Sequence, residues 1–114
     1  MLTLDKLKEF GADTDEGLAR CMNNEDFYLK MVGMGIADER FESIRGVLEA
    51  KDYTTAFDMA HALKGVLGNL ALTPIYEPMS EMTELLRAKK ADVDYLSYYD
   101  KMKSELDKLM ALIS

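Results

Sequence analysis

The sequence predicts an all-α protein, an antiparallel four-helix bundle preceded by two short helices. Three observations lead to this prediction. The chain has two prolines and is rich in residues that favour helices, such as Ala, Leu, Met, Glu and Lys. Its apolar residues recur at helical spacing in four longer segments. The connections between those segments are short, so neighbouring helices should pack antiparallel.

Two short helices are predicted at the amino terminus. Thr3 is a suitable N-cap for the first, which should end near Gly11. The second should start near Thr14, because Asp15 and Glu16 follow it and acidic residues suit the first turn of a helix.

A longer helix is predicted after Asn24, which is a favourable N-cap. Gly33 and Gly35 weaken this helix locally and permit a bend there. One apolar stripe runs through the whole segment and comprises Phe27, Met31, Met34, Phe41, Ile44 and Leu48.

Asp52 should cap the helix that carries the single histidine, and two further helices after it complete the bundle. Thr73 and Pro74 are typical of an N-cap followed by proline at the first helical position. Pro78 removes another backbone donor, so that helix should begin irregularly or bend. Asp92 should cap the last helix, whose apolar stripe comprises Leu96, Tyr99, Met102, Leu106, Leu109 and Ile113.

Composition limits the protein's possible partners and cellular location. A chain of 114 residues fits one domain, residues 1–114. Its net charge of −7 argues against nucleic acid as a partner, because phosphate binding needs clustered Lys and Arg. Cys21 is the single cysteine, so no internal disulfide forms, and the reducing cytoplasm is the expected location. No apolar run approaches the roughly 18 residues that span a bilayer, so we expect no membrane insertion.

The only histidine, His61, lies in the segment AHALKGVLGNLAL, residues 60–72. On a helical wheel of about 100° per residue it falls roughly 120° from the centre of the apolar face, on the flank of the helix. Gly65 and Gly68 lie one and two turns along nearly the same stripe. Lys64 lies nearer the core, from where its ammonium can reach toward the imidazole. Each glycine costs the helix up to about 1 kcal/mol relative to alanine, so two of them beside the histidine need an explanation.

Two explanations are open on this geometry. The glycines could permit close helix packing while His61 is a solvated surface residue. Alternatively, they clear space above the imidazole for another macromolecule, and Lys64 stabilises negative charge on the ring nitrogen. A catalytic triad or a metal site would need further groups that this segment does not supply. The functional hypothesis is therefore an exposed nucleophile for an anionic group, with phosphoryl as the obvious candidate.

The run Ala60-His61-Ala62-Leu63-Lys64-Gly65, followed by Gly68-Asn69-Leu70-Ala71-Leu72, resembles the motif of histidine-containing phosphotransfer (HPt) domains. The order of the helices is also similar, over roughly residues 14–112. The resemblance implies a four-helix bundle with two shorter amino-terminal helices and an exposed histidine that is phosphorylated on a ring nitrogen. By position, His61 is the phosphoacceptor, Lys64 the phosphate-side cation and Gly65 the residue that keeps access open, with Gly68 on the same stripe.

The resemblance also implies partners and a reaction. Such domains exchange a phosphoryl group with aspartates on receiver domains of hybrid sensor histidine kinases and response regulators, in multistep two-component phosphorelays. No cofactor of the chain's own is expected, because the receiver supplies Mg²⁺. The sequence contains neither a P-loop nor a kinase Gly-rich loop, so neither ATP hydrolysis nor autophosphorylation is expected. Val66 departs from relatives, which often carry a small or hydroxyl-bearing residue there.

Three alternatives stand beside this hypothesis. The first is a degenerate HPt domain, a non-catalytic helical module that binds receivers without accepting phosphate; the presence of both His61 and Lys64 argues against it. The second is a metal-dependent or hydrolytic bundle enzyme, which would need inward Glu/His pairs, and the sequence has no Glu-x-x-His. The third is a piece of a larger hybrid kinase, although the initial Met1 and the early cap favour a stand-alone protein.

Overall fold

A computed structural model describes residues 1–114 and contains helices but no strands. Its seven helices are α1 (Leu4–Phe10), α2 (Thr14–Arg20), α3 (Glu25–Ile36), α4 (Arg40–Glu49), α5 (Tyr53–Asn69), α6 (Thr73–Arg87) and α7 (Tyr95–Ile113). None of the seven is both long and apolar enough to cross a membrane.

Helices α4 to α7 form the four-helix bundle that the sequence predicts. Helix α4 packs against α5 and α7, α5 packs against α6, and α6 packs against α7, so the four close around one core. Helix α1 lies on α7, and α2 contacts both α1 and α3. The centre of the core is made of fully buried side chains that include Ile44, Leu63, Leu67, Met79, Met82, Met102 and Leu109. The all-α, four-helix-bundle prediction is confirmed.

Side-chain caps begin most of the helices where the sequence places them. Thr3 accepts a hydrogen bond from the backbone N–H of Lys6, and Gly11 ends α1 in the left-handed conformation, with φ of 109°. Asn24 and Asp52 cap α3 and α5 in the same way, and their side chains accept from the N–H three residues later. These predicted boundaries are confirmed.

The segment predicted as one long helix is two helices. Helix α3 runs through Gly33 and Gly35 and ends at Ile36, so the interruption begins at Ala37, two residues after Gly35, and not at the glycines. Asp38 causes the restart, because its carboxylate accepts the backbone N–H of Arg40 at 2.9 Å and pairs with the Arg40 guanidinium at 2.6 Å. A short polar side chain that bonds the backbone ahead of it favours a new helical start.

Two other predicted caps are wrong. Asp94 caps α7, accepting from the N–H of Ser97, so Asp92 lies in the preceding turn and not at the cap. Thr73 is the first residue of α6, and Leu72 before it gives no side-chain cap. Proline at the second helical position costs little there, because the first N–H groups of a helix have no partner within it. Helix α6 continues through Pro78 to Arg87.

Two glycines allow α2, α3 and the end of α5 to pack closely. A Cβ on Gly35 would lie 2.6 Å from Leu70 Cδ1 and 3.2 Å from Val66 Cγ1. A Cβ on Gly17 would overlap the ring of Tyr28. Tyr28 is fully buried, donates its hydroxyl to the Leu70 carbonyl at 2.8 Å, and burial raises its pKa to about 12. The unusual Val66 therefore packs toward a glycine on α3, and this junction fixes the carboxyl end of the His61 helix.

Candidate phosphoacceptor site

His61 projects from the flank of α5, where the helical wheel places it. Its neighbours Ala60 and Leu63 are fully buried, whereas His61 itself is exposed. The imidazole stacks on the ring of Phe57 one turn earlier, with 5.6 Å between ring centroids and an interplanar angle of 28°. Stacking occupies the face of the imidazole and leaves the edge, which carries the nitrogen atoms, free for a partner.

Lys64 lies on the side of His61 that faces α6. Its side chain is 24% exposed, and its Nζ lies 3.2 Å from Oε2 of Glu84 on α6. The stem is therefore packed while the charged end reaches the surface, as amphipathic side chains do. The hydrogen bond from Lys64, with the charges of Arg87 and Lys64, holds the pKa of Glu84 below its ordinary value, so this carboxylate is ionised at neutral pH.

A second cation, Arg87, approaches from the same helix as Glu84. Its Nε lies 3.3 Å from Oε1 of Glu84. Its guanidinium carbon also lies 5.1 Å from the centroid of the Phe57 ring, on which His61 stacks. Two positive side chains therefore stand on the α6 side of the imidazole, and one carboxylate binds both.

The two glycines that follow His61 have different surroundings. A Cβ added to Gly65 would meet nothing within 4 Å, so this position opens to solvent. A Cβ added to Gly68 would lie 3.3 Å from Cε2 of Tyr76, at the start of α6. Gly65 thus leaves space beside the histidine, whereas Gly68 allows a close approach between α5 and the Tyr76 ring.

A groove of about 550 Å³ leads from His61 toward α2. Arg20 stands at its far end, donating to Asn69 at 3.2 Å and pairing with Glu16 at 2.8 Å. The residues that line it on α5 include His61, Lys64, Gly65, Gly68 and Asn69. All four predicted site residues therefore border one groove.

An apolar flank of α3 continues this surface. Arg20 and Asn69 also border a second, smaller groove, which Phe27, Met31, Cys21 and Leu70 complete. On this flank Phe27 is 42% exposed and Met34 is 60% exposed. Phe27, Met31 and Met34 are spaced by four and three residues, so they share one side of α3. We call these three residues the α3 apolar flank.

The Hpt domain family model matches residues 36–112, about two thirds of the chain. This chain belongs to the Hpt domain family. The matched segment contains α4, α5, α6, all of α7 except its last residue, and the entire site on α5 and α6. No curated protein and no solved structure matches the chain. Hpt domains are phosphotransfer modules of two-component signalling and are not kinases with ATP sites. The family therefore implies receiver domains and kinases as the class of partner.

Sequence reasoning missed three residues of this site. Phe57 precedes His61 by four residues, and that spacing alone indicates a stacked pair on a helix. Glu84 and Arg87 lie on α6, and they reach the site only through the packing of α6 on α5. No local pattern around the histidine identifies them. The chain brings no group of three or more His, Cys, Asp or Glu side chains together to hold a metal ion.

Proposed function

We propose that this chain is a histidine phosphotransfer protein that relays a phosphoryl group between receiver-domain aspartates through phospho-His61. One observation carries the proposal: the exposed imidazole has its face on Phe57, its nitrogen-bearing edge free, and Lys64 and Arg87 on its α6 side. We take residues 1–114 as one domain, because Leu7 of α1 and Tyr28 of α3 belong to the same hydrophobic core as the bundle.

The reaction needs one nucleophile from this chain. The lone pair of a ring nitrogen of neutral His61 attacks the phosphorus of the partner's aspartyl phosphate, and an N–P bond forms. The P–O bond to the aspartate breaks, and its electron pair returns to the carboxylate. The ring carries a positive charge once the N–P bond has formed, and it becomes neutral again when the proton on its other nitrogen passes to solvent. The reverse steps return the group to a second receiver.

Positioning and charge stabilisation dominate phosphoryl transfer. This chain contributes the positioned imidazole and the ammonium of Lys64. Mg²⁺ and the groups that act on the acyl phosphate belong, in this proposal, to the receiver. The chain therefore works without a cofactor of its own and without ATP.

Transfer from a phosphorylated receiver tests the proposal directly. We expect label to move from the receiver's aspartate to this chain and to be stable in alkali but lost in acid, as a phosphoramidate bond is. An acyl phosphate is lost in alkali, so the two linkages are distinguished on the same sample. Binding of the receiver without transfer of label would support the non-catalytic module instead.

Replacing Lys64 with alanine should slow transfer without removing the acceptor. A charge-assisted contact to phosphate is worth about 1 to 3 kcal/mol, so the rate should fall by roughly tenfold, within a range of about five- to 150-fold. The measurement is the initial rate of label transfer from the receiver at low ionic strength.

Lys108→Ala is the matched control for that variant. Lys108 also forms an ion pair with a glutamate, since its Nζ lies 2.9 Å from Oε1 of Glu105, but Lys108 lies on α7. Loss of a surface lysine pair in general would slow both variants equally. An unchanged rate in Lys64→Ala would identify Lys64 as a solvated side chain with no part in the reaction.

We further propose that the receiver covers the α3 apolar flank together with the His61 groove. The two grooves share Arg20 and Asn69, so a globular partner seated over His61 extends onto Phe27 and Met31. Exposed apolar side chains beside a reactive group are typical of a protein-binding surface.

Met34→Glu tests this surface, because it places a charge on the α3 apolar flank at a position already 60% exposed. We expect transfer from the receiver to fall about tenfold through weaker docking, while labelling by phosphoramidate stays unchanged. Met110→Glu makes the same change on α7, where Met110 is 44% exposed. Equal transfer rates for Met34→Glu and Met110→Glu would show that the receiver does not contact this flank.

A further inference from the structure

Glu84 forms ion pairs with the cations that a phosphohistidine would use. Its Oε2 lies 3.2 Å from Nζ of Lys64, and its Oε1 lies 3.3 Å from Nε of Arg87. The two cations nearest the α6 side of the site are therefore both bound to one carboxylate before any phosphate arrives. Its lowered pKa keeps this carboxylate charged at neutral pH.

The contacts of Glu84 connect back to the imidazole by two routes. One passes through Lys64, which lies one helical turn after His61. The other passes through Arg87, whose guanidinium lies over Phe57, and through Phe57 to His61. Glu84 is thus the one carboxylate that forms ion pairs with both of these cations.

Phosphorylation of His61 creates a competitor for these cations. A phosphoryl group adds close to two negative charges near neutral pH together with three acceptor oxygens. Lys64 then has to divide its hydrogen bonds between the phosphoryl group and Glu84, and the two anions repel each other. Glu84 therefore weakens the hold on the phosphoryl group relative to a site in which Lys64 is free.

We propose that Glu84 is a positioning residue that keeps the phosphohistidine from becoming too stable, so that transfer to and from the receiver remains reversible. This inference rests on the proposed function of His61. A relay intermediate must give up its group as readily as it accepts it, and a carboxylate that competes for the phosphate-side lysine provides that balance.

Glu84→Gln tests the inference because it preserves the size and hydrogen-bonding ability of the side chain and removes its charge. The label is allowed to equilibrate between this chain and a receiver domain that exchanges with the wild-type protein. We expect the equilibrium ratio of phospho-His61 to phosphorylated receiver to rise about two- to fivefold, as the loss of one exposed ion pair implies. The shift should shrink in 1 M salt, where charges are screened within about 3 Å.

Glu81→Gln is the matched control, since Glu81 is also exposed on α6, one turn earlier, and forms no ion pair with Lys64 or Arg87. It should leave the ratio unchanged. An equal rise in both variants would mean that the net charge of the surface, rather than Glu84, sets the ratio, and no rise in Glu84→Gln would overturn the inference.

A double substitution separates positioning from simple repulsion. If Glu84 acts through Lys64, the effect of Glu84→Gln should become smaller in a Lys64→Ala background, as expected for residues that interact. A shift of the same size in both backgrounds would contradict the positioning role.

Labelling by phosphoramidate distinguishes failure of the proposed function from failure of this inference. Absence of label from His61 in the wild type rejects the proposed function. Normal labelling with an unchanged equilibrium ratio in Glu84→Gln rejects only the role of Glu84.

Discussion

His61→Gln should abolish phosphate acceptance while leaving the fold intact. His61 is the only imidazole in the chain, so no other side chain can replace it as a phosphoacceptor of this kind. Glutamine keeps a polar side chain of similar reach and is the better helix former by a few tenths of a kcal/mol. The loss of stacking on Phe57 acts in the opposite direction and is worth about 0.5 to 1.5 kcal/mol. The free energy of unfolding should therefore change by no more than about 1 kcal/mol.

Three measurements on this variant make the result decisive. Thermal unfolding reports the fold, labelling by phosphoramidate reports the nucleophile, and transfer from a phosphorylated receiver reports the relay. We expect the first to match the wild type and the other two to give no label. Acid-labile label on the variant at near the wild-type level would reject His61 as the acceptor. Retained binding of the receiver would show that docking and acceptance are separate properties of this surface.

The fold was largely predictable because local signals and packing agree. Asn24 and Asp52 are good capping residues that follow turns, and the apolar stripes have a clear helical period, so helix type and most starting points follow from neighbouring residues alone. The same local reasoning misplaced the cap of α7, since Asp92 and Asp94 are two residues apart and equally suitable as caps. In the structure Asp94 is the cap, and its side chain accepts from the N–H of Ser97.

The break before α4 shows a different limit. Glycine lowers helix propensity, so Gly33 and Gly35 are the expected weak points. The structure instead uses Gly35 for contact with Leu70 and interrupts the helix at Asp38, whose carboxylate binds Arg40. Propensity describes an isolated helix, whereas in the folded chain both glycines are helical and Gly35 packs against Leu70.

The part of the site that lies on α5 was predictable from the sequence. The flank position of His61 and the open space at Gly65 follow from periodicity along α5. Gly68 lies on the same stripe but packs against Tyr76 of α6, and Glu84 also comes from α6. Groups that approach from a second helix depend on the register between the two helices, which a single sequence does not specify.

Gly65→Leu should separate docking from chemistry at His61. A Cβ at this position meets no atom within 4 Å, so the fold has room for a side chain. Helical side chains lean toward the turn before their own Cα, so the introduced leucine would cover the space beside the imidazole. A receiver that must bring its aspartyl phosphate to the ring would be held away, and a displacement of about 1 Å from productive geometry can cost on the order of a hundredfold in rate. Phosphoramidate is small enough to reach the nitrogen, so its labelling should fall much less.

The outcome depends on comparing three variants by thermal unfolding, receiver transfer and phosphoramidate labelling. Gly65→Ala should stabilise the protein by up to about 1 kcal/mol and transfer at close to the wild-type rate, because alanine favours the helix and adds one methyl group. Gly46→Leu makes the same large substitution at an exposed position of α4 where a Cβ also meets nothing within 4 Å, and it should transfer normally.

If Gly65→Leu unfolds the protein while Gly46→Leu does not, Gly65 serves the packing of α5. If Gly65→Leu stays folded and transfers as fast as Gly46→Leu, the space beside His61 is not what the receiver requires. A loss of receiver transfer confined to folded Gly65→Leu, with phosphoramidate labelling retained, assigns the glycine its role: it admits a protein partner to a nucleophile that small donors reach without it.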